Sequence, residues 1–183
     1  MERGFCRERD AYAHLLQSGA CARGSVPMCY GWLTLTAHDI EKIIAIPDLA
    51  PSGKRLRFLK DSPPSAMLLE YFADAARLSI DNVSEKLADV AFRALYDVHK
   101  AYVYHGDIHE RNVLVLPGGR VVWVDFNSSS VPADKSGLSR LALLEEAAQA
   151  WGLLYDELVS PFNDCSISNT YELHAMPSFR ISA

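Results

Sequence analysis

A chain of 183 residues, 49% hydrophobic and 22% charged, can bury one core of ordinary size and reads as a single globular domain. Its formal charge of -5 supplies no basic patch to neutralise a phosphate backbone, which excludes nucleic acid as a partner. Its apolar runs are too short to span a membrane.

Cys6, Cys21, Cys29 and Cys165 are scattered without metal-ligand spacing. No apolar run follows Met1-Glu2-Arg3 as a signal peptide requires, so a reduced, cytoplasmic protein is expected. From Phe5 to Leu16 the residues Phe5, Ala11, Tyr12, Leu15 and Leu16 gather near one helical face, and Gly19 can end that helix. Residues 28 to 36 and 66 to 72 are rich in aromatic and β-favouring side chains and read as strands. Between them, 40 to 46 fits either a short strand or a helix. The span 48 to 64, which mixes proline, glycine and basic residues, reads as a solvated loop.

Asn82, with Glu85 three residues on, makes a capping pair for a long helix along which Leu87, Val90, Ala91, Ala94, Leu95 and Val98 recur at helical spacing. The runs 113 to 116 and 121 to 124 flank Pro117-Gly118-Gly119-Arg120 and predict an antiparallel hairpin. Leu141, Leu144, Ala148, Trp151, Tyr155 and Leu158 predict a second amphipathic helix over 138 to 158, packed on the first. Beyond Pro161 the pattern dissolves.

The chemistry concentrates in the string Tyr104-His105-Gly106-Asp107-Ile108-His109-Glu110-Arg111-Asn112, followed by the hairpin and then Asp125-Phe126-Asn127. Phosphoryl transfer asks for a carboxylate to orient and deprotonate the attacking hydroxyl, and for oxygen ligands to magnesium. Asp107 and Asn112 on one loop, with Asp125 returned beside them by the hairpin, supply both. Two alternatives stay open at this level. The three residues also fit ordinary surface polar positions, and His105, Asp107 and His109 together fit a zinc or iron cluster. His38, His99 and His174 read as surface residues, and Glu110 with Arg111 as a solvated charge pair facing away from the metal.

The order H-x-D-x-x-x-x-N, strand, turn, strand, D-F-x resembles the protein-kinase superfamily. The form H-G-D-I-H-x-x-N, with Gly106 where protein kinases carry arginine, is similar to the aminoglycoside and choline phosphotransferase branch and to kinase-like domains of fungi. The resemblance implies an α+β, protein-kinase-like fold. An incomplete N-lobe of helix and short antiparallel strands would span 1–72. A mainly helical C-lobe with catalytic loop and metal-binding hairpin would span 73–160, and an irregular tail 161–183.

It implies ATP and magnesium as cofactors and a protein or small-molecule hydroxyl as acceptor. Asp107 would be the catalytic base and His109 would stand near the transferred phosphate. Asn112 and Asp125 would be magnesium ligands. Glu70 and Phe72 would offer main-chain groups to the adenine over a floor formed by Leu114. Glu8 would be the helix glutamate that pairs with a phosphate-binding lysine, although between Arg7 and Arg9 it also fits a solvated carboxylate. His105 and Phe126 would stack, with Tyr12 completing the stack.

The chain departs from the pattern in four places. No G-x-G-x-x-G occurs, and Lys42, Lys54, Lys60, Lys86, Lys100 and Lys135 all follow the first helix. Asn127 stands where the D-F-G element has glycine, and no A-P-E follows. These departures carry a second expectation, a non-catalytic kinase-like binding module whose apolar surface is covered by an upstream segment or a partner chain.

Overall fold

The computed structural model describes residues 2–46, 64–133 and 136–160. The expected loop over 48–64, apart from Pro64, and the expected tail over 161–183 lie outside the described residues, as do Cys165 and His174.

Helix α1 runs Glu2–Gln17. Its periodic face buries Ala11, Tyr12 and Leu15 completely, whereas Leu16, at the edge of that face, is 37% exposed. Gly19 adopts the left-handed φ of 78° and donates its N–H to the Leu16 carbonyl at 3.1 Å, so the helix ends where a residue without Cβ permits it. The short helix α2, Ala20–Arg23, follows and closes on Gly24.

Strands β1 (Cys29–Thr34) and β2 (Ser65–Leu69) form a two-stranded antiparallel sheet with Trp32 opposite Met67 and Leu33 opposite Ala66. Between them lies helix α3, Ala37–Ile44. Asp39 Oδ2 accepts the Thr36 N–H at 2.9 Å while Thr36 Oγ1 accepts the Asp39 N–H at 3.2 Å. This reciprocal cap decides for helix in a stretch whose apolar pattern was ambiguous.

The second sheet has the order β3 (Ala76–Arg77), β4 (Val113–Val115), β5 (Val121–Trp123), antiparallel throughout. Strands β4 and β5 are the predicted hairpin, and both turn glycines have positive φ. Helix α4, Glu85–Lys100, is capped by Ser84, whose Oγ accepts the Leu87 N–H at 3.3 Å. Asn82, the predicted cap, instead closes the preceding turn. It accepts the Ser79 N–H at 2.9 Å and donates to the Arg77 carbonyl at 2.8 Å, the local bonding that Asn favours outside helices. Helix α4 turns Ala88, Ala91, Ala94, Leu95 and Val98 inward. Its small alanines let β5 approach until Trp123 Nε1–H donates to the Ala91 carbonyl at 2.9 Å.

Helix α5, Gly137–Trp151, continues as a wider π-helical stretch over Gly152–Val159. Here the predicted face is corrected. Leu141 and Leu144 are 51% and 58% exposed, and the inward positions are Glu146, Ala150, Leu153, Leu154 and Leu158. Leucine and alanine occur on all sides of this helix, so apolar periodicity marks no single face, and a buried carboxylate selects the orientation. The π widening then shifts the phase so that Leu158, from the predicted stripe, turns inward after all.

The described residues are therefore α+β, and among them are two small antiparallel sheets and one core shared by α1, α2, α4, β4, β5 and the end of α5. No helix among the described residues is long and apolar enough to cross a membrane. Leu95 is 1% exposed at the centre of that core. Leu95→Ala is expected to cost about 2–5 kcal/mol in urea unfolding, against under about 0.5 kcal/mol for Leu144→Ala; similar losses for the two would contradict the corrected orientation of α5.

Candidate functional site

Helix α4 ends at Lys100, and Tyr102, at φ 56°, turns the chain back along the core. Tyr104 and Ser130 then exchange backbone hydrogen bonds, each 2.9 Å, which ties the loop of Asp107 to the segment after Asp125. Gly106 sits at φ 80° where an added Cβ would collide with the Ser128 carbonyl. Any other residue at 106 would force the two loops apart.

Glu146 holds the loop from behind. It is fully buried, and its Oε2 accepts the His105 N–H at 2.9 Å while its Oε1 accepts the Gly106 N–H at 2.7 Å. His99 Nε2 lies 2.8 Å from the same Oε2. A carboxylate can only accept, so His99 carries a proton on Nε2. His99, expected on the surface, is thus buried at the end of α4 by its bond to α5.

The predicted aromatic stack is present and one ring longer. Tyr12 meets Phe126 at 5.5 Å between centroids, Phe126 meets His105 at 4.6 Å, and His105 meets Trp123 at 5.2 Å. His105 Nε2 lies 3.0 Å from the Val124 carbonyl and must donate, leaving Nδ1 as a buried acceptor without partner. Burial holds the imidazole pKa below its ordinary value, despite the nearby carboxylates of Glu146, Asp107 and Asp125.

Asp107 projects from this platform. Asn112 Nδ2 donates to both its carbonyl and its Oδ2, each at 2.9 Å. Arg111 Nη2 reaches Oδ1 at 3.0 Å and Oδ2 at 2.8 Å. Partial burial alone would raise the Asp107 pKa, but the Asn112 bond and the Arg111 guanidinium outweigh it and hold the carboxyl below its ordinary range. The expectation that Arg111 pairs with Glu110 away from the site is therefore corrected. Glu110 Oε2 instead lies 2.5 Å from His109 Nδ1. The short 3₁₀ turn Glu110–Asn112 puts Arg111 back over Asp107.

Asn112 is 2% exposed, and its carbonyl accepts the Val124 N–H at 2.9 Å. The residue after Val124 is Asp125, exposed and left-handed at φ 67°, a conformation Asp tolerates better than most residues. Glu8 on α1 lies against Phe126, and its pKa is raised first by burial and then by Asp125 nearby, with the Phe126 backbone working in the opposite direction. Glu8 is half-buried against Phe126 and Asp125 rather than solvated.

The other sequence-predicted residues lie on different contacts. The Glu70 N–H already donates to the Met28 carbonyl at 2.8 Å. The Glu70 carboxylate accepts the Met28 N–H at 3.0 Å and faces Arg120 at 3.6 Å. Phe72 lies under the Arg120 guanidinium, 5.3 Å from the ring centroid. Leu114 is half-buried on the central strand, opposite Val122 and Arg77. An open cleft of about 540 Å³ is bordered by Arg23, Met28, Tyr30, Glu70 and Arg120, and none of Asp107, Asn112 or Asp125 lines it. No three His, Cys, Asp or Glu side chains converge as a metal site among the described residues. A zinc or iron cluster of His105, Asp107 and His109 is not formed, since His105 is turned to Val124 and His109 to Glu110.

A scan against protein-family models and a search of curated proteins each find no match for this chain.

Glu146→Gln puts an amide NH₂ against backbone donors that need an acceptor. A loss of about 2–4 kcal/mol in urea unfolding is expected, and no loss would contradict the anchoring role. His105 gives a pH signature. Its folded-state pKa lies below that of the unfolded chain, at about 6.5, so its contribution is complete above that pH and is lost as pH falls through the folded-state value. The urea midpoint of the wild type is expected to fall on acidification below about pH 6.5 more steeply than that of His105→Phe. Parallel profiles would count against a buried neutral imidazole.

Proposed function

We propose that the chain is a protein-kinase-like phosphotransferase that uses ATP and magnesium to phosphorylate a hydroxyl acceptor. The observation that carries the proposal is the bonded unit of Asp107 and Asn112, joined through Val124 to Asp125. Asn112 turns its Nδ2 to Asp107, so its Oδ1 is the atom left for a cation, and Asp125 offers an exposed carboxylate one residue beyond the Asn112–Val124 bond. Oxygen donors of this kind suit magnesium, which keeps several waters and the substrate phosphates in its shell.

Asp107 then orients the acceptor hydroxyl and takes its proton. Its depressed pKa keeps it ionised at neutral pH, and Asn112 prevents the carboxylate from rotating away. When bound, magnesium and ATP supply the electrophilic γ-phosphorus; the acceptor oxygen bonds to it as the β–γ bridging oxygen departs with ADP and the electron pair. Glu8, beside Asp125 and against Phe126, ties α1 to the cation side of the site. His109 is held by Glu110 and is assigned no proton transfer.

A second function, a non-catalytic binding module, has one observation in its favour. The two-stranded sheet exposes Tyr30, Trp32, Leu33 and Leu68, with Tyr71 just beyond it, an apolar surface of the kind that partner chains cover.

The two functions separate on nucleotide binding. Phosphotransfer requires a magnesium-dependent thermal shift with ATP that Asp125→Ala removes. Asp107→Ala should keep that shift and lose transfer by a factor on the order of 10³ or more. Transfer undiminished in Asp107→Ala, or no thermal shift in the wild type, would overturn the assignment.

A further inference from the structure

Helix α5 carries an apolar stripe on the face opposite Glu146. Glu146 and Ala150 turn inward, and at about 100° per residue the far side of the helix is lined by Gly137, Leu141, Leu144 and Ala148. Leu141 and Leu144 are more than half exposed, Gly137 and Ala148 are exposed with them, and a Cβ added at Gly137 would meet nothing within 4 Å. Their spacing is that of a heptad seam, with Leu141 and Ala148 at a, and Gly137 and Leu144 at d. Arg140 then falls at g and Glu145 at e, one on each flank of the stripe. Both are exposed, and neither side chain makes a hydrogen bond or ion pair among the described residues.

The two flanking charges specify what covers the stripe. In a parallel helix pair a g residue faces the next e residue of the other helix, the relation in which Arg140 and Glu145 stand. In an antiparallel pair g faces g and e faces e, which sets like charges together. The stripe is therefore complementary to itself in the parallel arrangement. A second copy related by a two-fold axis along α5 would form the Arg140–Glu145 pair twice.

We propose that α5 associates in parallel with α5 of a second copy of this chain over residues 137–148. Leu141 and Leu144 pack against their counterparts, and Arg140 of each copy pairs with Glu145 of the other. The seam stops at Ala148 because Trp151, the next d position, is stacked on Tyr155 at 4.1 Å and set edge-on to Phe92 at 5.6 Å. A contact about 18 Å long is small, so association is weak and concentration-dependent. Dilute chain is monomeric, and Leu144→Ala costs little in its urea unfolding. The inference does not rest on phosphotransfer, since the seam lies across the helix from the carboxylate that anchors the Asp107 loop.

Sedimentation equilibrium of the full chain, taken up to about 1 mM, should show a reversible monomer–dimer equilibrium. Arg140→Glu or Glu145→Arg alone should raise the Kd about tenfold, because two attractive flank pairs become two repulsive ones. An equimolar mixture of these two variants should restore association to about the wild-type level, each supplying the charge that the other lacks. Leu144→Asp should abolish association, and Trp32→Asp, on the exposed two-stranded sheet, should leave it unchanged. A chain that stays monomeric throughout, a Kd unmoved by either charge reversal, or a mixture that fails to associate would overturn the proposal. So would a dimer that Trp32→Asp abolishes and Leu144→Asp does not.

Discussion

The arrangement depends most on one buried carboxylate. Glu146 is surrounded by three donors, the backbone N–H groups of His105 and Gly106 and the imidazole of His99. In a low-dielectric interior each of these would be costly to leave unpaired, and together they repay the burial of a charge. One side chain thus fixes the face that α5 presents, the end of α4 and the entry of the chain into the loop that carries Asp107. Apolar packing alone would not choose this register, because α5 has leucine and alanine on every side.

The second constraint is the run of rings from Tyr12 through Phe126 and His105 to Trp123. Edge-on and tilted contacts of this kind contribute about 0.5–1.5 kcal/mol each beyond simple burial. Their geometric effect matters more here. They connect α1, the residue after Asp125, the residue before Gly106 and the end of the hairpin, and Trp123 continues the chain of contacts into α4 through Ala91. Asp107, Asn112 and Asp125 therefore stand on elements tied to one another by these contacts, the kind of preorganisation that the proposed transfer would require.

Much of this was legible in the sequence wherever the signal was local. The first helix, the helix through Leu95 and the hairpin about Gly118-Gly119 follow from periodicity and turn chemistry, and the string from His105 to Asp125 pointed to the loop that the fold assembles. What was not legible depended on contacts distant in sequence. Glu146 bonds residues 40 and 41 positions away, and in sequence it is an acidic residue next to Glu145. Nothing near His99 in sequence marks it as buried, because its partner Glu146 lies on another helix. Arg111 looked like the partner of Glu110 by adjacency, yet the 3₁₀ turn carries its side chain over Asp107. Asn82 and Ser84 competed for one cap two residues apart, and the shorter hydroxyl at the helix entrance took it.

The central claim is that Asn112 and Asp125 share one cation beside Asp107. Paramagnetic broadening tests it most directly, with Mn²⁺ replacing Mg²⁺ in the presence of nucleotide and the ¹⁵N-labelled chain observed by NMR. The amides of Asn112, Val113, Asp125 and Phe126 should broaden first, with those from Leu141 to Ala150 unaffected at the same ion concentration. Broadening centred elsewhere, or confined to only one of the two segments, would contradict a shared site.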